Sequence, residues 1–309
     1  MGKPPVVAIV GPTGVGKTAL SLALASHFPV EVVGVDSRQV YRGMDIGTAK
    51  PTPEERGWVP HHLIDVVEPT GEFSLAMYLD MARGAIQEIH RRRRLPLLVG
   101  GTGQYLWALL EAWRVPAVAP DPAYRKELAA LAENQGIKAL VSRLAEVDPE
   151  AVATIDPRNQ RRLIRALEVY HQTDVPFSRV RRRGSQPYRA CILGLTLPRE
   201  DLYRRIDQRV EVMIHAGWVE EVRHLLRSGV THAHPSMGSI GYRELAAFLA
   251  GEVDLEDAAR NIKTGTHRFA RHQYAWFRLS DPRIRWVQPD AGVEAEACAL
   301  IQAFLARVS

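Results

Sequence analysis

Gly11-Pro12-Thr13-Gly14-Val15-Gly16-Lys17-Thr18 matches GxxxxGK[ST], a spacing suited to holding phosphate. The glycines let the backbone curl until successive N–H groups point inward. A helix start behind the loop adds partial positive charge, and Lys17 adds a full one. The Thr18 hydroxyl is placed to hold Mg2+. A second apolar run ends in Asp36, followed by Ser37, Arg38 and Gln39. That carboxylate is able to accept a proton, or simply to cap a turn. Leu97-Leu98-Val99 instead leads into Gly100-Gly101-Thr102, where a P-loop ATPase carries a second Mg2+ carboxylate. The loop alone leaves open whether phosphate is transferred, hydrolysed or expelled. The missing carboxylate argues against a motor ATPase.

These groups need a rigid frame. Val6–Val10 reads as a strand buried on both faces, residues 17–28 as a helix stopped by Pro29, and Val30–Val35 as a second strand ending at Asp36. Leu63–Val67 is a third candidate strand, Ser74–Arg92 a helix and Leu95–Val99 a fourth strand. This alternation predicts an α/β fold, a P-loop NTPase-like parallel sheet core, with ligands at the carboxyl ends of the strands. After Trp113 the pattern changes. Pro116, Pro120 and Pro122 form a linker, and residues 123–170 read as helices, one of them opened by Asp156-Pro157. Ile192–Leu197 returns to strand, residues 202–226 are helical with a break at Gly217, and Ile284–Val287 is a last strand. The expected organisation is a core of residues 1–115 and 191–309 with a helical insertion domain at 116–190.

The 309 residues carry a formal net charge of +5, unevenly spread. Nine arginines face two acids between Arg158 and Arg189, and six arginines and a lysine face one acid between Arg260 and Arg285. The remainder is acidic, so the two segments read as a polyanion footprint. Arg158, Arg162 and Arg165 fall on one helix face, which makes the charge spatial. Arg91–Arg94 read differently, as cations favoured at a helix end. No tract of about 20 apolar residues is present, so no membrane span is expected. The start, Met1 to Pro5, lacks the apolar region of a signal peptide. Cys191 and Cys298 lack metal or disulfide spacing, and a cytoplasmic protein is expected. The pairs His61-His62 and His232/His234 lack the convergent spacing of a zinc site.

Gly11–Thr18, Asp36-Ser37-Arg38-Gln39-Val40-Tyr41, Met44-Asp45-Ile46-Gly47-Thr48-Ala49-Lys50, His61-His62-Leu63-Ile64-Asp65 and Gly100-Gly101-Thr102-Gly103 are similar to motifs of the bacterial tRNA dimethylallyltransferases. The similarity continues through Arg162–Val169, Gly217–Arg223, Ile240-Gly241-Tyr242-Arg243 and Trp276-Phe277-Arg278, and so spans almost the whole chain in order. The resemblance implies transfer of a dimethylallyl group from dimethylallyl diphosphate to N6 of the adenosine 3′ of the anticodon. The loop, Gly11 to Thr18, would then hold the diphosphate, with Mg2+ as cofactor on Thr18. Catalytic roles fall on Asp36 as general base, on Thr13, and on Arg223 of the Glu221-Val222-Arg223 triplet. Contacts with the tRNA anticodon stem-loop fall on Asp36, Ser37, Arg38, Gln39, Thr102, Arg125, Arg161, Arg162, Leu163, Ile164, Arg165, Gly241, Tyr242 and Arg243, with a core place equally open to the Tyr242 ring. The flipped-out adenosine would reach Asp36 from the loop. A monomer is expected. One departure is Arg271-His272-Gln273-Tyr274-Ala275-Trp276, where His272 stands in place of a more basic residue and Ala275 in place of a threonine.

Three other readings are open to the same loop. A small-molecule P-loop kinase would phosphorylate an acceptor from ATP, and an RNA-stimulated ATPase would hydrolyse it. A free-adenylate prenyltransferase would need no tRNA. The arginine-rich insertion opposes the first, and the strand end without a carboxylate opposes the second.

Overall fold

The structure, a computed structural model, describes residues 2–116, 118–180 and 184–307. Arg181, Arg182 and Arg183 of the first basic segment lie outside the described residues. The chain forms two compact units, Met1–Leu110 with Gln186–Ser309, and Glu111–Ser185.

The first unit is an α/β fold. Its strands are β1 (Pro5–Val10), β2 (Val30–Gly34), β3 (His61–His62), β4 (Leu95–Val99), β5 (Arg189–Leu195) and β6 (Ile284–Val287). They make one parallel sheet in the order β3-β2-β4-β1-β5-β6. β1 is central and buried almost throughout, as its unbroken apolar run requires. Helices α1 (Lys17–Ala25), α2 (Pro53–Trp58), α3 (Leu75–Arg91) and α4 (Gly103–Leu110) belong to the same unit. Ser74 caps α3 by accepting the Met77 N–H at 3.2 Å, and Tyr78, Leu79, Ala82, Ile86 and Ile89 form its buried stripe.

Among the described residues the named elements of the second unit are helices: α5 (Pro122–Gln135), α6 (Ile137–Val147), α7 (Pro149–Thr154), α8 (Gln160–Thr173) and α9 (Phe177–Val180). Leu128, Leu140, Leu144, Leu163 and Leu167 make its core. Its ends meet where the Gly184 N–H donates to Glu111 O and Ala112 O. The chain then returns to the first unit through β5, followed by α10 (Arg199–His215), α11 (Trp218–Arg227), α12 (Tyr242–Leu249), α13 (Leu255–Trp276) and α14 (Val293–Ala306). Gly217, at φ 101°, separates α10 from α11 in a backbone region open to glycine. Among the described residues no helix is long and apolar enough to cross a membrane.

Two sequence expectations are corrected. Leu63–Val67 is not a strand: Leu63 and Asp65 have φ of 65° and 56°, which breaks extension, and β3 is the preceding His61–His62. Only Val67 pairs, as a single bridge with Tyr41. The helix expected from Asp156-Pro157 starts later. The Asp156 carboxylate is taken by the Arg158 N–H at 2.9 Å and by its guanidinium, and Asn159 caps α8 by accepting the Arg162 N–H at 3.1 Å. Arg158 is therefore outside the helix whose face it was expected to share.

The strand ends are stitched tightly. A Cβ on Gly100 would stand 2.1 Å from Val35 O, so glycine is the residue that lets the turn after β4 pass the end of β2. Gly100→Ala is expected to cost roughly 3 kcal/mol in urea unfolding. A loss below about 0.5 kcal/mol, the range of neutral surface changes, contradicts this packing.

Candidate functional site

The glycine loop follows β1 directly and leads into α1, whose N-cap Gly16 has φ 103°. Lys17 turns back over the loop, its Nζ donating to Gly11 O at 3.1 Å and Pro12 O at 2.7 Å. Burial pulls the Lys17 ammonium down to about 8, Asp36 pulls it back up, and Arg209 adds to the lowering. The Arg209 guanidinium is itself lowered by burial and raised by Asp36. Lys17, Asp36 and Arg209 therefore share one electrostatic field at the carboxyl edge of the sheet.

Arg209 was not singled out from sequence. It sits on α10 three residues after Ile206, whose Cγ1 would lie 3.1 Å from a Cβ on Gly14. That spacing puts it on the loop-facing side of the helix. Arg223, the arginine expected in the site, pairs with Glu220 one turn earlier on α11. The charge of Arg209 thus acts on both Lys17 and Asp36, a residue that the sequence motifs do not mark.

The loop is held from the other side by α13. The Thr13 N–H donates to Gln273 Oε1 at 2.8 Å, and Gln273 Nε2 donates to Gly101 O at 2.9 Å. Gln273 is buried, and a Cβ on Gly101 would stand 2.0 Å from its Nε2. The glutamine of the divergent Arg271-His272-Gln273 stretch is thus a clamp on the loop.

Asp36 lies two residues past the end of β2 and closes a turn. Its Oδ1 accepts the N–H groups of Arg38 at 2.8 Å and Gln39 at 3.3 Å. The Ser37 N–H donates to Thr102 Oγ1 at 3.1 Å, tying this turn to the end of β4. Gln39 turns inward, its Nε2 donating to Thr48 O at 3.1 Å and Ala49 O at 3.0 Å. Arg38, half-buried, reaches Pro235 O at 2.9 Å.

Among the described residues no group of three or more His, Cys, Asp or Glu side chains converges on a metal position. An Mg2+ here would take the Thr18 hydroxyl and diphosphate oxygens, the donor set that suits a hard cation shared with a phosphate ligand. His62 is engaged with Glu31 at 2.7 Å.

Several residues expected to touch RNA serve the fold. Tyr242 is fully buried and donates its hydroxyl to Glu221 Oε1 at 2.6 Å. Burial, followed by the nearby Glu221 charge, pushes its phenol far up. Gly241, at φ 92°, lies against the Trp218 ring. Leu163 is in the core of the helical unit and Ile164 packs against it, because α8 turns that apolar face inward. Arg125 grips the buried Glu168 through two bonds of 2.7 and 3.0 Å, and Arg165 adds one of 2.6 Å. Burial alone would raise the Glu168 carboxyl; the bonds from Arg125, the Asp121 N–H and Arg165 outweigh it and hold the group low. Arg161 is exposed and Arg162 half-buried on the same helix. Arg243 is mostly exposed beside Glu244.

A curled glycine loop behind a central parallel strand, with a lysine turned back over it and the charges of an aspartate and an arginine acting on that lysine, defines a P-loop-like α/β protein suited to a phosphorylated ligand. A family model for IPP transferase matches residues 39–280, and one for isopentenyl transferase matches residues 4–60. A tRNA dimethylallyltransferase of Roseiflexus castenholzii is 58% identical over 287 residues, 93% of this chain and 94% of that protein. One from Roseiflexus sp. (strain RS-1) is 52% identical over 302 residues, covering 97% and 99%. Among solved structures, a tRNA isopentenylpyrophosphate transferase from Bacillus halodurans superposes with a TM-score of 0.71 at 41% identity, covering 99% of this chain and 96% of that one. A eukaryotic dimethylallyltransferase acting on tRNA gives 0.79 at 27% identity, covering 97% and 77%. The chain belongs to the IPP transferase family, and with it to the prenyltransferases.

The depressed Lys17 gives a pH signature. A bound anion favours the ammonium, so affinity is full below the free-state value and falls as pH rises past about 8. Calorimetric titration with an unreactive allylic diphosphate analogue is expected to weaken above that pH, and Lys17→Met to lose the inflection. An inflection unchanged in the variant contradicts the assignment.

Proposed function

We propose that this protein is a cytoplasmic, monomeric enzyme that transfers the dimethylallyl group of dimethylallyl diphosphate to N6 of the adenosine immediately 3′ of the anticodon in tRNA. The observation that carries the reading is a glycine loop whose Lys17 feels the charge of Asp36, while β4 leads into Gly100-Gly101 with no metal carboxylate. Such a site suits expulsion of a diphosphate more than hydrolysis of a nucleotide.

The chemistry follows from these residues. The adenine N6 lone pair is delocalised into the ring, so attack needs its proton removed as the bond forms. Asp36 accepts that proton while N6 bonds to the allylic carbon and the carbon–oxygen bond to diphosphate breaks. Oδ1 is engaged by the turn, which leaves Oδ2 for the proton. The departing diphosphate takes the bonding electrons into the loop, where the N–H groups, the Lys17 ammonium and the Thr13 hydroxyl meet the growing charge. Arg223, by the family motif, and Arg209, through its charge, add cations. Mg2+, when bound, neutralises charge on the diphosphate, and Thr18 is the residue that would hold it.

Arg161, Arg162, Arg38 and Arg243 are the expected cations for RNA, since Arg125 and Arg165 are committed to Glu168. A loop adenosine must leave its stack to reach Asp36, and phosphate contacts hold the loop open while it does so.

Diphosphate release from dimethylallyl diphosphate is expected only in the presence of tRNA. Asp36→Asn is expected to lower kcat by about 10²–10⁴-fold while tRNA affinity by filter binding stays near the parent value. Turnover close to that of the parent removes Asp36 as the base.

A further inference from the structure

Glu221 lies on α11, away from the glycine loop in sequence, and receives an unusual set of donors. Its Oε2 accepts the backbone N–H groups of Asp45 at 2.8 Å and Ile46 at 2.7 Å. Its Oε1 accepts the Gly47 N–H at 3.2 Å and the Tyr242 hydroxyl at 2.6 Å. Three successive amides and a phenol thus converge on one carboxylate. The backbone of residues 45–47 makes a nest for an anion that this chain supplies itself.

The segment held in this way is closely fitted. A Cβ on Gly47 would stand 2.1 Å from Trp218 Nε1, so the turn lies flat on a buried indole. Thr48 Oγ1 donates to Met44 O at 2.5 Å and the Lys50 N–H to Asp45 O at 3.0 Å. Lys50 Nζ, buried, joins Tyr41 O at 2.5 Å, Asp45 Oδ1 at 2.6 Å and Asp65 Oδ1 at 2.6 Å. The two carbonyls at the far side of this turn, Thr48 O and Ala49 O, are the acceptors of the Gln39 side chain. The Gln39 backbone N–H in turn bonds Asp36 Oδ1. A continuous chain of hydrogen bonds therefore runs from Glu221 through residues 45–49 and Gln39 to the carboxylate of the base.

We propose that Glu221 is a positioning residue for group transfer: it fixes the turn at residues 45–49, whose carbonyls hold Gln39 and so aim Asp36 at the incoming amine. The proposal rests on Asp36 being the base. Glu221 touches neither substrate. Its effect is geometric, and a displacement of about 1 Å at a proton acceptor is enough to cost on the order of 100-fold in rate. An uncharged amide in its place presents an N–H to the backbone donors it now accepts, so the nest opens on that side.

The test is steady-state kinetics on Glu221→Gln, alone and in the Asp36→Asn background, with folding checked by circular dichroism. The single variant is expected to lose about 10- to 100-fold in kcat with KM for dimethylallyl diphosphate unchanged. On the Asp36→Asn background it should cost nothing further, because the group it positions is gone. Gln39→Leu, which cuts the chain between the turn and the base, should reproduce the kcat loss. Should Glu221→Gln fail to fold, Tyr242→Phe removes one of the four bonds and is expected to give a smaller loss of the same kind. A kcat equal to that of the parent in the folded variant, or the same loss on both backgrounds, overturns the positioning role. Full turnover by Asp36→Asn would instead remove the base on which the proposal stands.

Discussion

A glycine loop with converging N–H groups must keep its shape against its own polarity, and here a buried glutamine on a distant helix supplies the restraint. Gln273 accepts the Thr13 N–H and donates to Gly101 O, so one side chain of α13 joins the ends of β1 and β4. Lys17 closes the loop from within through Gly11 O and Pro12 O. Both are at least part-buried polar arrangements whose loss would leave unpaired groups. The position of α13 is fixed in turn by Ala270 in the sheet core and by Trp276, whose O accepts the Trp107 Nε1–H at 3.0 Å. The chemistry at the loop thus depends on a helix some 250 residues further along the chain.

Charge is used in two ways, and the sequence alone shows only their sum. Some arginines neutralise buried carboxylates. Arg92 grips Glu31 on β2 through bonds of 2.9 and 2.7 Å, and the pairing, ahead of opposing burial, holds Glu31 below the usual range. Arg125 and Arg165 do the same for Glu168. Other cations, such as Arg161 and Arg243, project from the surface. Runs of arginine predict a polyanion partner only after the first group is subtracted, which takes three-dimensional pairing to do.

The sheet, the loop and the helical insertion were legible because each rests on a local pattern: unbroken β-branched runs, a fixed glycine spacing, a 3.6-residue period. Asp36 was legible for the same reason, as the carboxylate that ends a strand. What escaped depends on long-range contact. Leu63–Val67 has strand composition, but two left-handed residues bend it away. Tyr242 is open in the sequence to an RNA contact or a core place, and only the long-range packing shows its ring edge-on to Trp218 in a second core. Gln273, Arg209 and Glu221 acquire their places from partners more than 170 residues distant in sequence. No periodicity connects such pairs.

The proposed chemistry has the glycine loop receive a diphosphate leaving group while an adenine amine is alkylated. It is tested most directly by incubating the protein with Mg2+, dimethylallyl diphosphate and unmodified tRNA bearing adenosines beside the anticodon, then digesting the RNA for nucleoside mass spectrometry, with ATP and AMP as parallel substrates. An N6-dimethylallyl adenosine formed from tRNA alone is expected. Unmodified tRNA with ATP consumed would contradict it and assign the loop to a nucleotide.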